Sequence, residues 1–176
     1  MNTDVLLLKR SEVASLLTLP ECIDAMEEAF RMRAEGRTLL PALAHVDADG
    51  GEFHIKAGGL RMERTFFALK ANGGFFGNRK QFGLPNIIGL ILLCDGQNGR
   101  PLAVMDSITI TVLRTGATTA VAAKHLARRD SATATICGCG NQGRVQLAAL
   151  QHALPGLRRA FAWDVAPGAA QGFAAE

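Results

Sequence analysis

The sequence contains no tyrosine and a single tryptophan among 176 residues. Its basic residues are scattered and form only short clusters, of which Arg79-Lys80 and Arg128-Arg129 are examples. Proteins that bind nucleic acid usually present a continuous basic patch or stripe. A net charge of +3 that is spread in this way does not form such a surface, so we expect no nucleic-acid partner.

Long apolar segments are also missing. No run of apolar residues approaches the roughly 18–20 residues that a membrane-spanning helix needs. The first residues, in which Asp4 and Lys9 flank a short apolar run, lack the charged, apolar and small-residue regions of a signal peptide. We therefore expect no membrane partner and a cytoplasmic location.

Cysteine is scarce, and its spacing excludes two kinds of site. Cys22, Cys94, Cys137 and Cys139 fit none of the usual disulfide frameworks, which favours a reducing compartment. The pair formed by Cys137 and Cys139 has no second pair at the spacing that zinc sites use. We predict neither a disulfide scaffold nor a metal site.

The composition that remains is that of a globular protein, with 48% apolar and 20% charged residues. A helical stripe ends before Gly36, and short strand-like runs follow, with a hairpin signal at residues 47–51 and strands at 66–71 and 87–94. Residues 72–78 read as a loop, residues 107–128 as an alanine-rich helix, and residues 171–176 as an unanchored end. We predict an α/β protein with an α+β domain of mixed strands over residues 1–120 and a second domain over residues 121–176.

The most informative motif is Gly138-x-Gly140-x-x-Gly143, which lies between a short apolar run and a helical pattern. In a strand–turn–helix context this spacing is typical of dinucleotide binding. Gly138 allows the tight turn, Gly140 lets the backbone approach a pyrophosphate, and Gly143 permits close packing of the helix on the strand. The motif predicts the first βαβ unit of an incomplete, doubly wound Rossmann-type domain. The alternative is a glycine-rich turn that binds nothing.

Asp164 follows the next apolar run, at residues 160–163. A Rossmann domain places at this point the carboxylate that accepts hydrogen bonds from the adenosine ribose. Its charge would repel a 2′-phosphate, so we expect NAD(H) as the cofactor. An arginine elsewhere in the site would make NADP possible.

Three cations stand out because their neighbours are uncharged. Lys70 ends an apolar run, and Lys56 lies two residues after His54, so that Lys56 and His54 share one face of a strand. Each lysine is either a surface residue with a buried stem or a functional cation, and periodicity alone favours the surface position. Arg114 is the isolated cation of a helical stretch. If it is buried it needs an anionic partner, for which a carboxylate or a phosphate would serve.

The order of several motifs resembles the ornithine cyclodeaminase/mu-crystallin family, and the resemblance runs from about residue 5 to about residue 165. The sharpest part is an arginine-threonine helix followed by a Gly-x-Gly-x-Gln turn. The matching motifs are Gly83-Leu84-Pro85, Gly89, residues 92–95, Asp106, residues 114–127, and residues 138–142.

This resemblance implies an NAD(P)(H)-dependent enzyme that acts at the α-carbon of a small amino acid or its imine, with a first domain that holds the substrate and forms a homodimer. In the family's cyclodeaminases, hydride leaves the α-carbon, ammonia is lost as the side-chain amine closes a ring, and hydride then returns. Other members are ketimine reductases or amino-acid dehydrogenases. The mu-crystallin-like members bind a nucleotide and another ligand without catalysis.

The resemblance also implies roles for single residues. Lys70 resembles the family's lysine at the substrate carboxylate, and Arg114 resembles the arginine that touches both substrate and cofactor. The remaining positions that match cofactor-binding residues are Asn86, Asn141, Gln142 and Asp164.

Two departures from the family pattern affect the substrate and the catalytic step. The family usually has a carboxylate-binding arginine where this sequence has Leu43, and we hypothesise that Lys56 supplies that charge from the neighbouring strand. The family's catalytic aspartate lies on a later strand that residues 1–176 do not include. We therefore expect these residues alone to be inactive and assign no catalytic residue. An incomplete gene product without a function of its own remains the other alternative.

Overall fold

In a computed structural model, residues 4–176 are described. No helix within this range is both long and apolar enough to cross a membrane. The elements in chain order are β1 Leu6–Leu8, α1 Arg10–Leu16, α2 Leu19–Ala34, β2 Thr38–Ala48, β3 Gly51–Arg61, β4 Thr65–Gly74, α3 Asn78–Phe82, β5 Ile87–Asp95, β6 Pro101–Asp106, α4 Ile108–Leu126, β7 Thr133–Cys137, α5 Asn141–Ala153, β8 Arg159–Trp163 and α6 Ala169–Ala174.

Local sequence sets both ends of α2. The backbone N–H of Thr18 donates to the Glu21 carboxylate at 2.9 Å, and the Thr18 hydroxyl donates to the same carboxylate at 2.6 Å. This exchange resembles a capping box, which satisfies donors that the first turn leaves open. At the other end Gly36 adopts φ +73°, the left-handed conformation that commonly ends a helix.

Six strands form a mixed sheet in the order β1-β6-β5-β4-β3-β2. The β1–β6 pair is parallel, and the other neighbours are antiparallel. Ala48 pairs with Gly51, so the β2–β3 hairpin closes through the two-residue loop Asp49-Gly50. Gly50 has φ +80°, a conformation that side-chain-bearing residues rarely adopt. The hairpin predicted at residues 47–51 is confirmed.

Strand β4 continues to Gly74, so the prediction that a loop begins at Asn72 is wrong. Asn72 is buried, and the Ser107 hydroxyl donates to its Oδ1 at 2.7 Å. Asn72 also pairs with Gly89, where an added Cβ would lie 2.2 Å from the same oxygen. Tertiary contacts therefore hold a loop-forming sequence in a strand, because buried polar groups need partners.

The chain divides into two compact units. One unit contains Ala29–Ile110 together with the described residues up to Leu16, and the other contains Leu17–Glu28 and Thr111–Glu176. The first holds the six-stranded sheet, and the second holds the parallel pair β7–β8. This architecture confirms the predicted fold class, a mixed-strand domain with an incomplete Rossmann-like portion. The domain boundary at residue 120 stays a prediction.

The second unit has a core made by the first part of α2 with α4 and α5. Its buried members are Cys22, Ile23, Ala117, Ala120, Val121 and Ala149. Gly116 allows the helices to approach, because a Cβ there would lie 2.6 Å from Val145 Cγ1 on α5. Gly116 weakens the helical pattern of α4, and the close packing of α4 on α5 explains why a glycine occupies this position.

Strands β7 and β8 are parallel and joined by α5, which makes the predicted βαβ unit. Ile136, Cys139 and Phe173 form its buried cluster. Phe173 lies on α6, and the carboxylate of Glu176 forms an ion pair with Arg144 at 2.5 Å. The expectation that residues 171–176 lack an anchor is therefore wrong.

Candidate functional site

The glycine motif forms the turn between β7 and α5. Gly138 adopts φ +102°, and its N–H donates to the Trp163 carbonyl of β8 at 2.8 Å. A Cβ at Gly143 would lie 2.1 Å from the Gly138 carbonyl oxygen. The first and third glycines are thus required by the backbone itself, one for its left-handed conformation and the other for the approach of helix to strand.

Gly140 has a different role. It is the N-cap of α5 without a side-chain cap, and a Cβ there would meet nothing within 4 Å. The first N–H groups of a helix have no acceptor within the helix and carry its positive dipole end. They face a cleft of about 280 Å³ lined by Thr135, Ile136, Cys137, Gly138, Gly140, Gln142, Gly143 and Gln146. This arrangement suits an anion that approaches the backbone closely.

Gln142 supplies a further sign of a ligand site at this cleft. Its Oε1 is buried and has no hydrogen-bond partner in the described chain. Buried polar atoms in native proteins are nearly always paired, so a bound ligand or water is the expected partner at this cleft. Asn141, the first residue of α5, is exposed beside it.

Asp164 lies immediately after β8 and faces the same turn. One carboxylate oxygen accepts from the Cys139 N–H at 2.6 Å, and the other accepts from the Ala166 N–H at 2.8 Å. These backbone hydrogen bonds, from Ala166 and Cys139, lower the pKa of the Asp164 carboxyl. Each ionised oxygen accepts more than one hydrogen bond, so the geometry leaves capacity for a ligand hydroxyl.

Sequence reasoning missed Arg144, the residue after the last glycine of the motif. Its guanidinium donates to the Cys139 carbonyl and to the Glu176 carboxylate, and it lies 5.5 Å from the centroid of the Phe173 ring. It therefore holds the turn against α6. Burial, with the Asp164 charge, raises the pKa of the Cys139 thiol, so this cysteine is not an activated nucleophile.

In the other unit, the two singled-out lysines lie side by side. Lys56 of β3 is the register partner of Lys70 of β4, and Leu43 of β2 pairs with Lys56 on its other side. Directly paired residues of antiparallel strands point to the same face, so Leu43, Lys56 and Lys70 form one row. Lys70 is half-buried and Lys56 is exposed. Lys56 therefore lies next to both Leu43 and Lys70, as it must if it is to replace the charge of the family's arginine.

Arg114 and Asn86 lie in different units. Arg114 is half-buried on α4. Burial raises the pKa of the neighbouring Cys22 thiol, and the Arg114 charge opposes that rise. Asn86 precedes β5, and its Oδ1 accepts from the Arg79 N–H at 3.3 Å, which links the segment before β5 to the first turn of α3. The ligand roles that the resemblance implies for these two residues stay predictions.

A model of the ornithine cyclodeaminase/mu-crystallin family matches residues 3–176. An archaeal alanine dehydrogenase dimer with bound NAD is 36% identical with a TM-score of 0.91, over 97% of this chain and 52% of that one. The Thermococcus litoralis Δ1-pyrroline-2-carboxylate reductase, solved with NADH and L-proline, is 36% identical with a TM-score of 0.87, over 98% and 53%. A lysine cyclodeaminase that recognises L-lysine, L-ornithine and L-2,4-diaminobutyric acid is 31% identical with a TM-score of 0.80, over 98% and 52%.

The chain spans about half the length of the first curated relatives it matches, 51% and 49%. The relatives include amino-acid dehydrogenases, cyclodeaminases and pyrroline-carboxylate reductases. Both the family match and the order of the motifs run along almost the whole chain. The chain belongs to the ornithine cyclodeaminase/mu-crystallin family.

Proposed function

We propose that the protein transfers hydride between NAD(H) and the α-carbon of a small L-amino acid or its imine. The observation that carries this proposal is the turn at Gly138–Gly143, where open backbone and the N-terminus of α5 face one cleft. The Asp164 carboxylate is held at the same turn by a hydrogen bond from the Cys139 N–H. Similar proteins have been solved with NAD or NADH. When bound, the nicotinamide supplies the acceptor or donor of hydride.

The residues of the turn fit a dinucleotide. The amides at the start of α5 would bind the pyrophosphate, with Gly140 leaving room for its approach. Asp164 would accept hydrogen bonds from a ribose, and its charge favours NAD over NADP. Asn141 and Gln142 would contact the same cofactor, and the buried Oε1 of Gln142 would gain a partner. NADP stays the alternative that a cation beside the ribose would favour.

The row of Leu43, Lys56 and Lys70 supports an anion-binding role in the first unit. We infer that Lys70 binds the substrate carboxylate and that Lys56 provides the second charge where the family's arginine is replaced by Leu43. A fixed carboxylate orients the α-carbon, and such positioning is a large part of what a protein contributes to hydride transfer. Arg114 is proposed, from the resemblance alone, as a residue that touches substrate and cofactor.

We also propose a homodimer formed through the first unit. Strand β2 is an edge of the sheet, and it exposes 93% of Leu40 and 75% of Leu43. An exposed apolar edge strand normally needs a cover. The archaeal alanine dehydrogenase is a dimer, so we infer that a second copy of the chain covers this edge.

Three functions are compatible with this site. An ornithine cyclodeaminase-like enzyme returns the hydride that it removes and leaves the NADH concentration unchanged. A dehydrogenase or ketimine reductase changes that concentration by one equivalent per product. Sequence identity does not separate the first two functions, because a dehydrogenase and a reductase are 36% identical and an L-lysine cyclodeaminase is 40% identical over 97 residues. A mu-crystallin-type binding protein would bind cofactor and form no product.

The deciding experiment follows NADH absorbance and product formation together, with L-alanine, L-ornithine, L-lysine and Δ1-pyrroline-2-carboxylate as probes. Product without a net NADH change identifies a cyclodeaminase, and stoichiometric change identifies a dehydrogenase or reductase. NADH binding without product favours the binding role only in a form that also carries the family's catalytic aspartate, because residues 1–176 alone are expected to form no product. Inactivity of residues 1–176 by themselves stays a prediction, and the same assay tests it.

A further inference from the structure

We propose that the β2–β3 hairpin binds a divalent cation of the zinc type through His45, Glu52 and His54, with Asp47 beside them. Each strand carries two of these residues, and the two are separated by one residue. His45 pairs with His54, and Asp47 pairs with Glu52. Residues at i and i+2 share a face, as do directly opposed residues. The register therefore places two imidazoles and two carboxylates as a square on one face.

The side chains converge on the Glu52 carboxylate. Its Oε2 lies 3.1 Å from His45 Nε2, and its Oε1 lies 2.8 Å from His54 Nε2. The Asp47 Oδ1 lies 3.1 Å from His45 Nε2. One potential ligand atom from each of His45, Glu52 and His54 lies within 4.8 Å of the others. Bond lengths of about 2.0–2.2 Å to zinc allow three such atoms to reach one ion after small rotations of the side chains.

The donor types select the metal. Two imidazole nitrogens with a carboxylate suit zinc or another transition metal, whereas calcium and magnesium take oxygen ligands. His45, Glu52 and His54 are all at least partly exposed to solvent, so an ion can enter and Asp47 or water can complete its coordination. Imidazole and carboxylate also hydrogen-bond without a metal, and a Zn²⁺ titration distinguishes such a cluster from a metal site.

Such a site would stabilise the pairing of the edge strand β2 with β3. Strand β2 has a hydrogen-bonded neighbour only on its β3 side, in the order of the described strands. A cation held by both strands stabilises the folded hairpin, because the unfolded chain does not assemble the ligands. The cluster shares no residue with the proposed cofactor and substrate contacts, so the metal proposal does not rest on the proposed function. Lys56 lies on the same face of β3, two residues from His54.

The experiment treats the purified protein with a chelator, removes the chelator, and titrates Zn²⁺ against a chromophoric competitor. The variants are His45→Gln, His54→Gln, and the double variant. His152→Gln on α5 is the matched control for loss of one exposed histidine. Cys137→Ser reports binding by the exposed thiol. Circular dichroism checks that each variant folds, and thermal unfolding is recorded with and without Zn²⁺.

We expect one Zn²⁺ per chain, affinity at least tenfold weaker in each single variant, and loss of the site in the double variant. His152→Gln and Cys137→Ser should bind as the unchanged protein does. Zn²⁺ should raise the unfolding temperature of the unchanged protein but not of the double variant. Absence of binding, equal binding by the double variant, or loss of binding in Cys137→Ser would overturn the proposal and leave a hydrogen-bonded cluster only.

Discussion

Lys56 of β3 lies directly opposite Lys70 of β4, so two positive side chains leave the same face of the sheet side by side. Like charges that are directly opposed destabilise a sheet. An anion bound between them would reverse the sign of this interaction. The pair therefore links the stability of the ligand-free protein to its affinity for a carboxylate, and the two effects of one substitution should have opposite signs.

Lys56→Met should stabilise the ligand-free protein. The change removes one member of a like-charge pair and keeps the apolar stem, so we expect a gain of about 0.2–1 kcal/mol in the free energy of unfolding. Urea unfolding at low salt measures it, and the gain should shrink when salt screens the charges. Lys80→Met on α3, an exposed lysine outside the sheet, is the control and should change little. A destabilised Lys56→Met protein would contradict the repulsion.

The same variant should bind substrate less well. Hydrogen bonds to charged groups contribute about 1.5–3 kcal/mol, so loss of the Lys56 contact should raise the KM of the active protein by about tenfold or more. Lys70→Met should have a similar or larger effect. Steady-state kinetics with the best probe substrate measures both. An unchanged KM in Lys56→Met would rule out the proposed replacement of the family arginine.

Gly140 and Gly143 of the turn should differ in their response to alanine. Gly143→Ala places a Cβ 2.1 Å from the Gly138 carbonyl oxygen, and forced overpacking of this kind typically costs about 1–3 kcal/mol. Gly140→Ala meets nothing within 4 Å at φ −81°, so its stability should stay within about 0.5 kcal/mol. Thermal and urea unfolding of the two variants make the comparison. Equal destabilisation would contradict the described turn.

How much of this site the sequence predicts depends on the range of the interactions involved. The roles of Gly138 and Gly143 are local, because spacing alone fixes turn and helix, and the structure has both as expected. The facing of Lys56 and Lys70 depends on the register between strands that pair at a distance, which periodicity does not supply. The same holds for Asn72, which a buried contact to Ser107 keeps in a strand.

The sequence contains a signal for the His45–His54 pair. A two-residue Asp49-Gly50 loop fixes the register of the hairpin and hence places His45 opposite His54. Metal-site spacings along one strand do not show this, since the ligands come from two strands. Phe173 had no comparable signal, because its burial depends on packing against the β7–α5 unit.

Asp164 should contribute a pH-dependent part of the stability. Its pKa is lowered by hydrogen bonds from the N–H groups of Ala166 and Cys139. A depressed pKa stabilises the folded state fully above the unfolded pKa of about 3.9, and this contribution is lost as the pH falls through the lower folded value. Asp164→Asn should therefore be less stable than the unchanged protein at neutral pH, with a difference that shrinks below about pH 4.

Urea unfolding between neutral and acidic pH measures that difference. The control is Asp130→Asn, which changes an exposed carboxylate in the loop before β7. A stability difference for Asp164→Asn that grows on acidification would have the wrong sign for the described hydrogen bonds. Asp164→Asn should also lose part of the preference for NAD over NADP, since the repelling charge is removed.

Gly116→Ala tests the packing of α4 on α5. The added Cβ would lie 2.6 Å from Val145 Cγ1 and 3.0 Å from the Val145 carbonyl oxygen, so we expect destabilisation of about 1–3 kcal/mol. Gly172→Ala on α6 meets nothing within 4 Å and should instead stabilise by about 0.5–1 kcal/mol through helix propensity. Denaturant unfolding distinguishes the two, and a stabilised Gly116→Ala protein would contradict the close helix contact.

Titration of NADH into the protein and its Gly140→Ala variant, followed by calorimetry or nicotinamide fluorescence, tests dinucleotide binding at this turn. We expect saturable binding by the unchanged protein and at least tenfold weaker binding by Gly140→Ala, because the methyl group fills the space through which a pyrophosphate approaches. Gly172→Ala should bind as the unchanged protein does. Equal NADH affinity in the two proteins, or no binding by either, would contradict dinucleotide binding at this turn.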